Sequence, residues 1–327
     1  MNFIVTGGAG FIGSHVVDFL IGKNAKNVTV IDDISTGNLQ NLDLTSRNIN
    51  FIKYDISNSL NDIEWQQIQY DAIFHLAALA DIVPSIRNPE NYMRVNVQGT
   101  VNVMQLARHL KVKRVVYAAS SSCYGVPNSF PTYEDASIKP LYPYALSKYL
   151  GEQIFFHWLE IYRLKGISLR LFNVYGPRAR TSSNYGAVLG VFLAQKTAGL
   201  PLTVVGDGNQ VRDFTYVRDV AKAFYLAYKS AFSGLAVNIG TGQPRSINEL
   251  VKILKSDFVF IPKRPGEPDK TQSSTSRARE ILQWKAETDL EQGLNETLKS
   301  IKDWKSAPLW TPDKIEKETR DWFKYLG

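Results

Sequence analysis

The stretch FIVTGGAGFIGSH, residues 3–15, decides the fold. Its first four residues read as a short apolar strand, and its end opens FIGSHVVDFLIGK, whose apolar spacing is helical. Between the two, Gly8, Gly10 and Gly13 fit G-x-G-x-x-G, and counting from Gly7 the stretch also fits G-x-x-G-x-x-G. Glycines let the backbone turn tightly and approach a pyrophosphate, while the helix N-terminus adds amides and partial positive charge. A glycine pattern alone is a weak signal. The strand before it and the helix after it supply the context it needs.

The next strand, VTVID at 28–32, ends on Asp32, nineteen residues beyond Gly13. A carboxylate there accepts the hydroxyls of an adenine ribose and repels a 2′-phosphate, so the expected cofactor is NAD rather than NADP. Asp33 is a second candidate for that contact. Further strands are read at INFIKYDI (49–56), AIFHLAA (72–78), RVVYAAS (114–120) and ISLRLFN (167–173). They are nearly continuously apolar, as parallel strands buried on both faces are. Helical segments such as NPENYMRVNVQGTVNVMQLARHLK separate them. Alternating strands and helices predict an α/β fold, a Rossmann-type doubly wound parallel sheet.

After residue 173 the pattern loosens into GPRARTSSNYGA, VGDGNQVRD and KRPGEPDKTQSS, rich in Gly, Pro and polar residues. The expected division is an NAD-binding domain over 1–172 and a smaller mixed α/β domain over 173–327. The apolar run AVNIG (236–240) is expected to return to the main sheet. A chain of 327 residues suits two domains. With 44% hydrophobic and 21% charged residues, it has an ordinary globular composition.

A single cysteine, Cys123, excludes an internal disulfide and fits a reducing compartment. No apolar run approaches the roughly 20 residues of a membrane span. The N-terminus enters NFIVTGGAG without a basic leader, so a cytoplasmic protein without a signal peptide is expected. The net charge of +7 invites an anionic partner, yet the basic residues are scattered and carry no nucleic-acid-binding motif. No nucleic acid or membrane partner is expected; a pocket for a phosphorylated small molecule is. His15, His75, His109, His157 and Cys123 show no metal-ligand spacing, so no metal is expected.

In LYPYALSKYLGEQ (141–153), Tyr144 and Lys148 lie four apart in a helical stretch and share a face. A free phenol titrates near about 10 and is a poor base at neutral pH. A nearby ammonium stabilises the phenolate and brings its pKa toward working pH.

TGGAGFIG, the strand-end aspartate, HLAA (75–78), YAAS leading to YG (124–125), and YALSK occur in that order. Together they resemble the extended short-chain dehydrogenases/reductases, and more narrowly the NAD-dependent epimerase/dehydratase group acting on nucleotide sugars. Within that group the chain looks most like UDP-glucose and UDP-N-acetylglucosamine 4-epimerases, from residue 1 to about residue 285. The resemblance implies that Tyr144 is the acid/base, that Lys148 lowers its pKa, and that Ser120 is the third catalytic group. Ser121 and Ser122 are adjacent alternatives. It implies NAD contacts from Gly7, Gly10, Phe11, Ile12, Gly13, Asp32, Asp33, Ser35, Thr36, Gly37, Asp55, Ile56, Leu76, Ala77, Ala78 and Asn96, together with Tyr144 and Lys148. For the nucleotide sugar it implies Ser85, in a loop bordering the sugar, with Ser120, Ser121, Ser122, Tyr144, Asn173, Arg212, Arg264, Glu267 and Thr271. The arginines would meet the phosphates and Glu267 the nucleoside ribose.

Relatives that dehydrate the sugar carry an acid in the two positions after the serine; Ser121 and Ser122 stand there, which favours simple 4-epimerisation. Cys123 replaces the apolar residue before YG and reads as a buried core residue rather than a thiol acid/base. Thr271, five residues before Ser276, is small where enzymes restricted to plain hexoses are bulky, leaving room for an N-acetyl group. Ala80 stands where some 4-epimerases have lysine, and Ser274 replaces a frequent aspartate. Long helices are expected at 89–110 and 144–165, with apolar residues on more than one face, which points to a homodimer through a four-helix bundle. The other readings are a uronic-acid 4-epimerase, a 4,6-dehydratase or a keto-reductase on the same scaffold. From a different class, a non-catalytic NAD- or RNA-binding protein is opposed by the intact Tyr144, Lys148 and Ser120.

Overall fold

Seven parallel strands carry the fold in the computed structural model, which describes residues 1–179, 188–305 and 307–326. They are β1 (Asn2–Thr6), β2 (Asn27–Asp32), β3 (Ile49–Lys53), β4 (Ala72–His75), β5 (Arg114–Ser120), β6 (Gly166–Leu171) and β7 (Leu235–Ile239). Their spatial order is β7-β6-β5-β4-β1-β2-β3, so the winding reverses between β1 and β4. In doubly wound sheets the crevice at the carboxyl ends beside that reversal is where ligands bind. The late strand AVNIG does return, pairing with β6.

Helices α1 (Phe11–Gly22), α2 (Gly99–His109), α3 (Pro143–Ile161) and α4 (Val217–Lys229) cover the two faces. On one face α1 and α4 bring Val16, Leu20, Val220 and Phe224 against the sheet and Trp284. On the other, Val103, Leu106, Phe155 and Leu159 of α2 and α3 pack on Ile4, Ile73 and Tyr117. The strands are apolar throughout because both faces are covered.

Three strands are shorter than their apolar runs suggest: 49–56 ends at Lys53, 72–78 at His75 and 167–173 at Leu171. The Tyr54 amide still reaches Asp32 O, and the Leu76 amide reaches Thr6 O, before each chain leaves the ladder. Beyond those bonds the neighbouring strand has ended. The expected helix at 89–110 is continuous from Pro89 to His109, Pro89–Met93 passing through a π-helical segment, Arg94–Gln98, into α2.

The later residues build a second core around Phe192, Tyr216, Leu250, Leu294 and Trp304. Two short strands, Leu202–Val205 and Phe258–Ile261, pair beside it. Helix α5 (Pro312–Leu326) ends the chain, tied to Arg87 by Glu318 and Asp321. Of the loop GPRARTSSNYGA, residues 180–187 lie outside the described residues. Among the described residues no helix is long and apolar enough to cross a membrane, and no group of three metal-ligating side chains is assembled.

Candidate active site

A cavity of about 1060 Å³ opens at the carboxyl ends of β1, β2 and β4. Gly7, Gly10, Phe11, Ile12, Gly13, Asp32, Asp33, Ser35, Thr36, Gly37, Asp55, Ile56, Leu76, Ala77 and Ala78 all line it. Gly7 has φ +70°, and a Cβ on it would come within 2.6 Å of the Ala77 amide nitrogen. A Cβ on Gly13 would collide with the Gly7 carbonyl oxygen. The glycines are therefore required by backbone packed on backbone, which leaves the start of α1 open to a phosphate group.

Asp32 closes the far side, buried, with its carboxylate accepting the amides of Ala9 (3.0 Å) and Ile34 (2.9 Å). Burial raises its pKa, and those amides oppose the rise. The described cations lining the cavity, Arg178 and Lys302, come from later in the chain, with no guanidinium from the Asp32 loop to receive a 2′-phosphate. Glycine cradle and unpaired carboxylate together fit NAD. Asp33 shapes its own turn, accepting from the Ser35 amide (2.9 Å) and hydroxyl (2.6 Å). Asp55 is pushed up by burial, but its bond to Arg94 at 2.8 Å wins and holds it below its ordinary value.

Asn96 stands behind the cavity lining: its Oδ1 accepts the Leu79 amide (2.8 Å), and its Nδ2 donates to Leu79 O and Ser147 Oγ (both 2.9 Å). With its side-chain groups engaged, it fixes the loop at Leu79, and Ser147 in turn donates to the Tyr144 carbonyl.

Ser120 ends β5, and Pro143 starts α3 in its first turn, so strand end and helix face meet. The Tyr144 hydroxyl donates to Ser120 Oγ at 3.2 Å, and Ser120 Oγ also lies 2.8 Å from Ser122 Oγ. Lys148 is buried one turn further along, with Nζ 4.5 Å from the centre of the Tyr117 ring. Burial lowers its pKa to about 7, against the opposing charge of Glu152. Burial likewise raises the Tyr144 phenol, against its bond to Ser120, and Asp81 pushes in the same direction as burial. Among the chain's own groups, desolvation is the largest influence on both pKa values. Asp81, whose charge raises the tyrosine pKa, lines the large cavity, whereas Ser120, Tyr144 and Lys148 are not among its lining residues.

Three residues of this neighbourhood were missed in the sequence. Tyr142 stacks on Tyr144 at 6.2 Å and 11°. Tyr117 underlies Lys148 and donates to its carbonyl at 3.2 Å. Glu152 binds Arg170 at 2.8 Å in a buried pair. Glu152 was findable, since it repeats the four-residue spacing from Lys148; Tyr117 sits within a strand run and carries no such signal.

The predicted substrate residues form a second cluster. Arg212 pairs with Glu267 at 2.8 Å, and Arg264 approaches the same carboxylate at 3.7 Å. Glu267 Oε2 is buried without a hydrogen-bond partner. Asn173 Oδ1 accepts from Thr271 Oγ1 at 3.0 Å. Ser85 departs from expectation: it lies in a helix, Ile82–Arg87, fully buried, and its hydroxyl donates to Ile82 O at 2.6 Å. A serine one turn into a helix satisfies itself on the preceding carbonyl rather than facing a sugar. Cys123 is buried against Tyr124 and Phe172, its thiol pushed up to about 12 by burial. Ser274 is buried with its hydroxyl 2.9 Å from Ser276 Oγ, and Ala80 is exposed at the cavity rim.

Residues 3–240 match the model of the NAD dependent epimerase/dehydratase family. The chain belongs to this family. This epimerase-family chain is 34% identical over 307 residues to a UDP-glucose 4-epimerase of Mycolicibacterium smegmatis, covering 91% of this chain and 97% of that one. It is similar in structure to the UDP-N-acetylglucosamine 4-epimerase from Methanobrevibacter ruminantium M1 in complex with UDP-N-acetylmuramic acid (TM-score 0.85, 34% identity, 92% of this chain and 98% of that one). It is also similar to the UDP-glucuronic acid 4-epimerase from Bacillus cereus in complex with UDP-glucuronic acid and NAD (TM-score 0.83, 31% identity, 93% and 99%). The chain is an NAD-dependent enzyme of the epimerase class.

Proposed function

We propose that this protein is a nucleotide-sugar 4-epimerase interconverting UDP-glucose with UDP-galactose and UDP-N-acetylglucosamine with UDP-N-acetylgalactosamine. The observation that carries the reading is the Tyr144–Ser120 pair at 3.2 Å, followed by Ser121 and Ser122 where an elimination would need an acid. Bound NAD supplies the hydride acceptor and donor for carbon 4. Tyr144 takes the proton of the carbon-4 hydroxyl and returns it to the same oxygen once the 4-keto sugar has turned, so that carbon 4 regains hydride on its other face. Ser120 holds that oxygen, and Lys148 supplies positive charge to the phenolate side of the site. No second base is needed, because only one carbon inverts.

In this reading residues 1–172 with β7 hold NAD, and residues 173–327 hold the nucleotide sugar. Arg212 and Arg264 take the diphosphate, releasing Glu267 to accept ribose hydroxyls with its Oε2, which makes no hydrogen bond within the chain. Asn173 and Thr271 border the sugar, Thr271 leaving space beside carbon 2. Two copies associate through α2 and α3, where Leu146, Leu150 and Ile161 are exposed.

The test is incubation with a panel of UDP-sugars, glucuronate included, without added NAD. Accumulation of 4-epimers of glucose and N-acetylglucosamine is expected. Solvent deuterium entering at carbon 5 would mean proton abstraction there and would replace the epimerase with a dehydratase. Turnover of UDP-glucose without UDP-N-acetylglucosamine would remove the role of Thr271.

A further inference from the structure

Where β5 and β6 begin, at the opposite end of the sheet from the cofactor cavity, lies a second cavity of about 540 Å³. Lys113, Arg114, Arg163, Lys165, Lys229 and Tyr228 wall it. Lys113 and Arg114 arrive on the turn from α2 to β5, Arg163 and Lys165 on the turn from α3 to β6, and Lys229 ends α4. These five cations come from three separate stretches of chain and meet only in the fold.

Arg114 decides how the cavity is read. It is 6% exposed, and its Nη1 donates to the carbonyls of Ala227 (3.2 Å) and Phe232 (2.7 Å). Burial lowers its pKa. A guanidinium has five donors, and these two carbonyls engage one nitrogen. A buried cation is ordinarily matched by a carboxylate. Among the described residues no carboxylate forms an ion pair with Arg114, Arg163, Lys165 or Lys229. Asp71 stands beside the cluster, but its oxygens are taken by Lys113 Nζ (2.7 Å) and the Asn2 amide (2.9 Å). Binding the Ala227 carbonyl in the last turn of α4 and the Phe232 carbonyl beyond it accounts for one nitrogen of Arg114 and does not involve the other three cations. Arg163, Lys165 and Lys229 are exposed around one concavity with Arg114 at its wall, so a ligand with several negative charges can meet all four together.

We propose that this cavity binds a small anion carrying two or more phosphate groups, at a site separate from the catalytic one. A guanidinium fork beside mobile ammonium groups suits the many oxygens of a phosphate chain. The charge can come from an inorganic phosphate chain or from a nucleotide.

Isothermal titration of the full chain with tripolyphosphate and with GDP tests this, together with the double variant Arg163→Glu/Lys165→Glu, both positions being exposed. The double variant is expected to melt as the unaltered protein does and to bind either anion at least about tenfold more weakly at this site. Hydrogen exchange is expected to show ligand protection at 112–116 and 226–234 in the unaltered chain alone. Arg163→Gln/Lys165→Gln gives the same comparison without introducing new charge. Equal gains from both anions assign recognition to the phosphates, and a stronger gain from GDP assigns it to a nucleotide. Unchanged affinity in both variants, or no protection of those two segments, overturns the proposal.

Discussion

The Tyr144 hydroxyl donates to Ser120 Oγ across 3.2 Å, joining the first turn of α3 to the last residue of β5. That bond exists because the strand ends and the helix begins at the carboxyl edge of the sheet. Replacing Tyr144 by Phe keeps the ring and its stack on Tyr142 but removes the proton carrier. Turnover is expected to fall by roughly 10²–10⁴-fold, with nucleotide-sugar affinity nearly unchanged, as read by steady-state assay and titration.

Lys148 is a buried cation whose pKa is lowered to about 7 by desolvation. The unfolded lysine titrates near about 10.4, so between these values the unfolded chain binds more protons and stability rises with pH. The penalty is fully present below pH 7 and absent above the unfolded value. Lys148→Met is therefore expected to melt higher than the parent at pH 6, by an amount that shrinks toward pH 10, while losing turnover. An equal difference at both pH values would contradict this assignment.

Glu152 and Arg170 form a buried pair at 2.8 Å, and Ser168 donates to the same carboxylate at 2.6 Å. Glu152→Gln leaves a buried guanidinium without its counter-charge, at an expected cost of about 3–5 kcal/mol in denaturant unfolding. It also removes the charge that opposes the lowering of Lys148, so the lysine should lose its proton at lower pH. The pH profile of kcat reads that second effect apart from stability.

Burial lowers His75 to about 3 and His15 to about 4. Both are neutral in the fold and protonate in the unfolded chain near about 6.5. The unfolded state thus binds more protons below that value, and stability falls as pH drops from 6.5 toward 4. His15→Gln should flatten the upper part of this acid limb in thermal melts, whereas an unaltered limb would exclude His15 as its source.

Much of the sheet was legible because burial on both faces leaves an apolar run for every strand, and glycines at fixed spacing mark the phosphate turn. Strand ends were not legible in this way. Asp55, Ile56 and Leu76–Ala78 are as apolar or as regular as the strands before them, and they leave the ladder only because the neighbour stops. Asn96 and Ser85 show the same limit, since whether a polar side chain faces a ligand or a carbonyl depends on what packs around it.

Local sequence determined the glycine turn, Asp32 at a strand end and the four-residue spacing of Tyr144 and Lys148, because each depends on backbone geometry within one or two elements. The fold alone decided that Lys148 would sit over Tyr117, that Asn96 would brace a loop, and that scattered cations would gather at the far edge of the sheet. Those outcomes depend on desolvation and charge proximity between segments distant in the chain, and no pattern along one strand or helix encodes them.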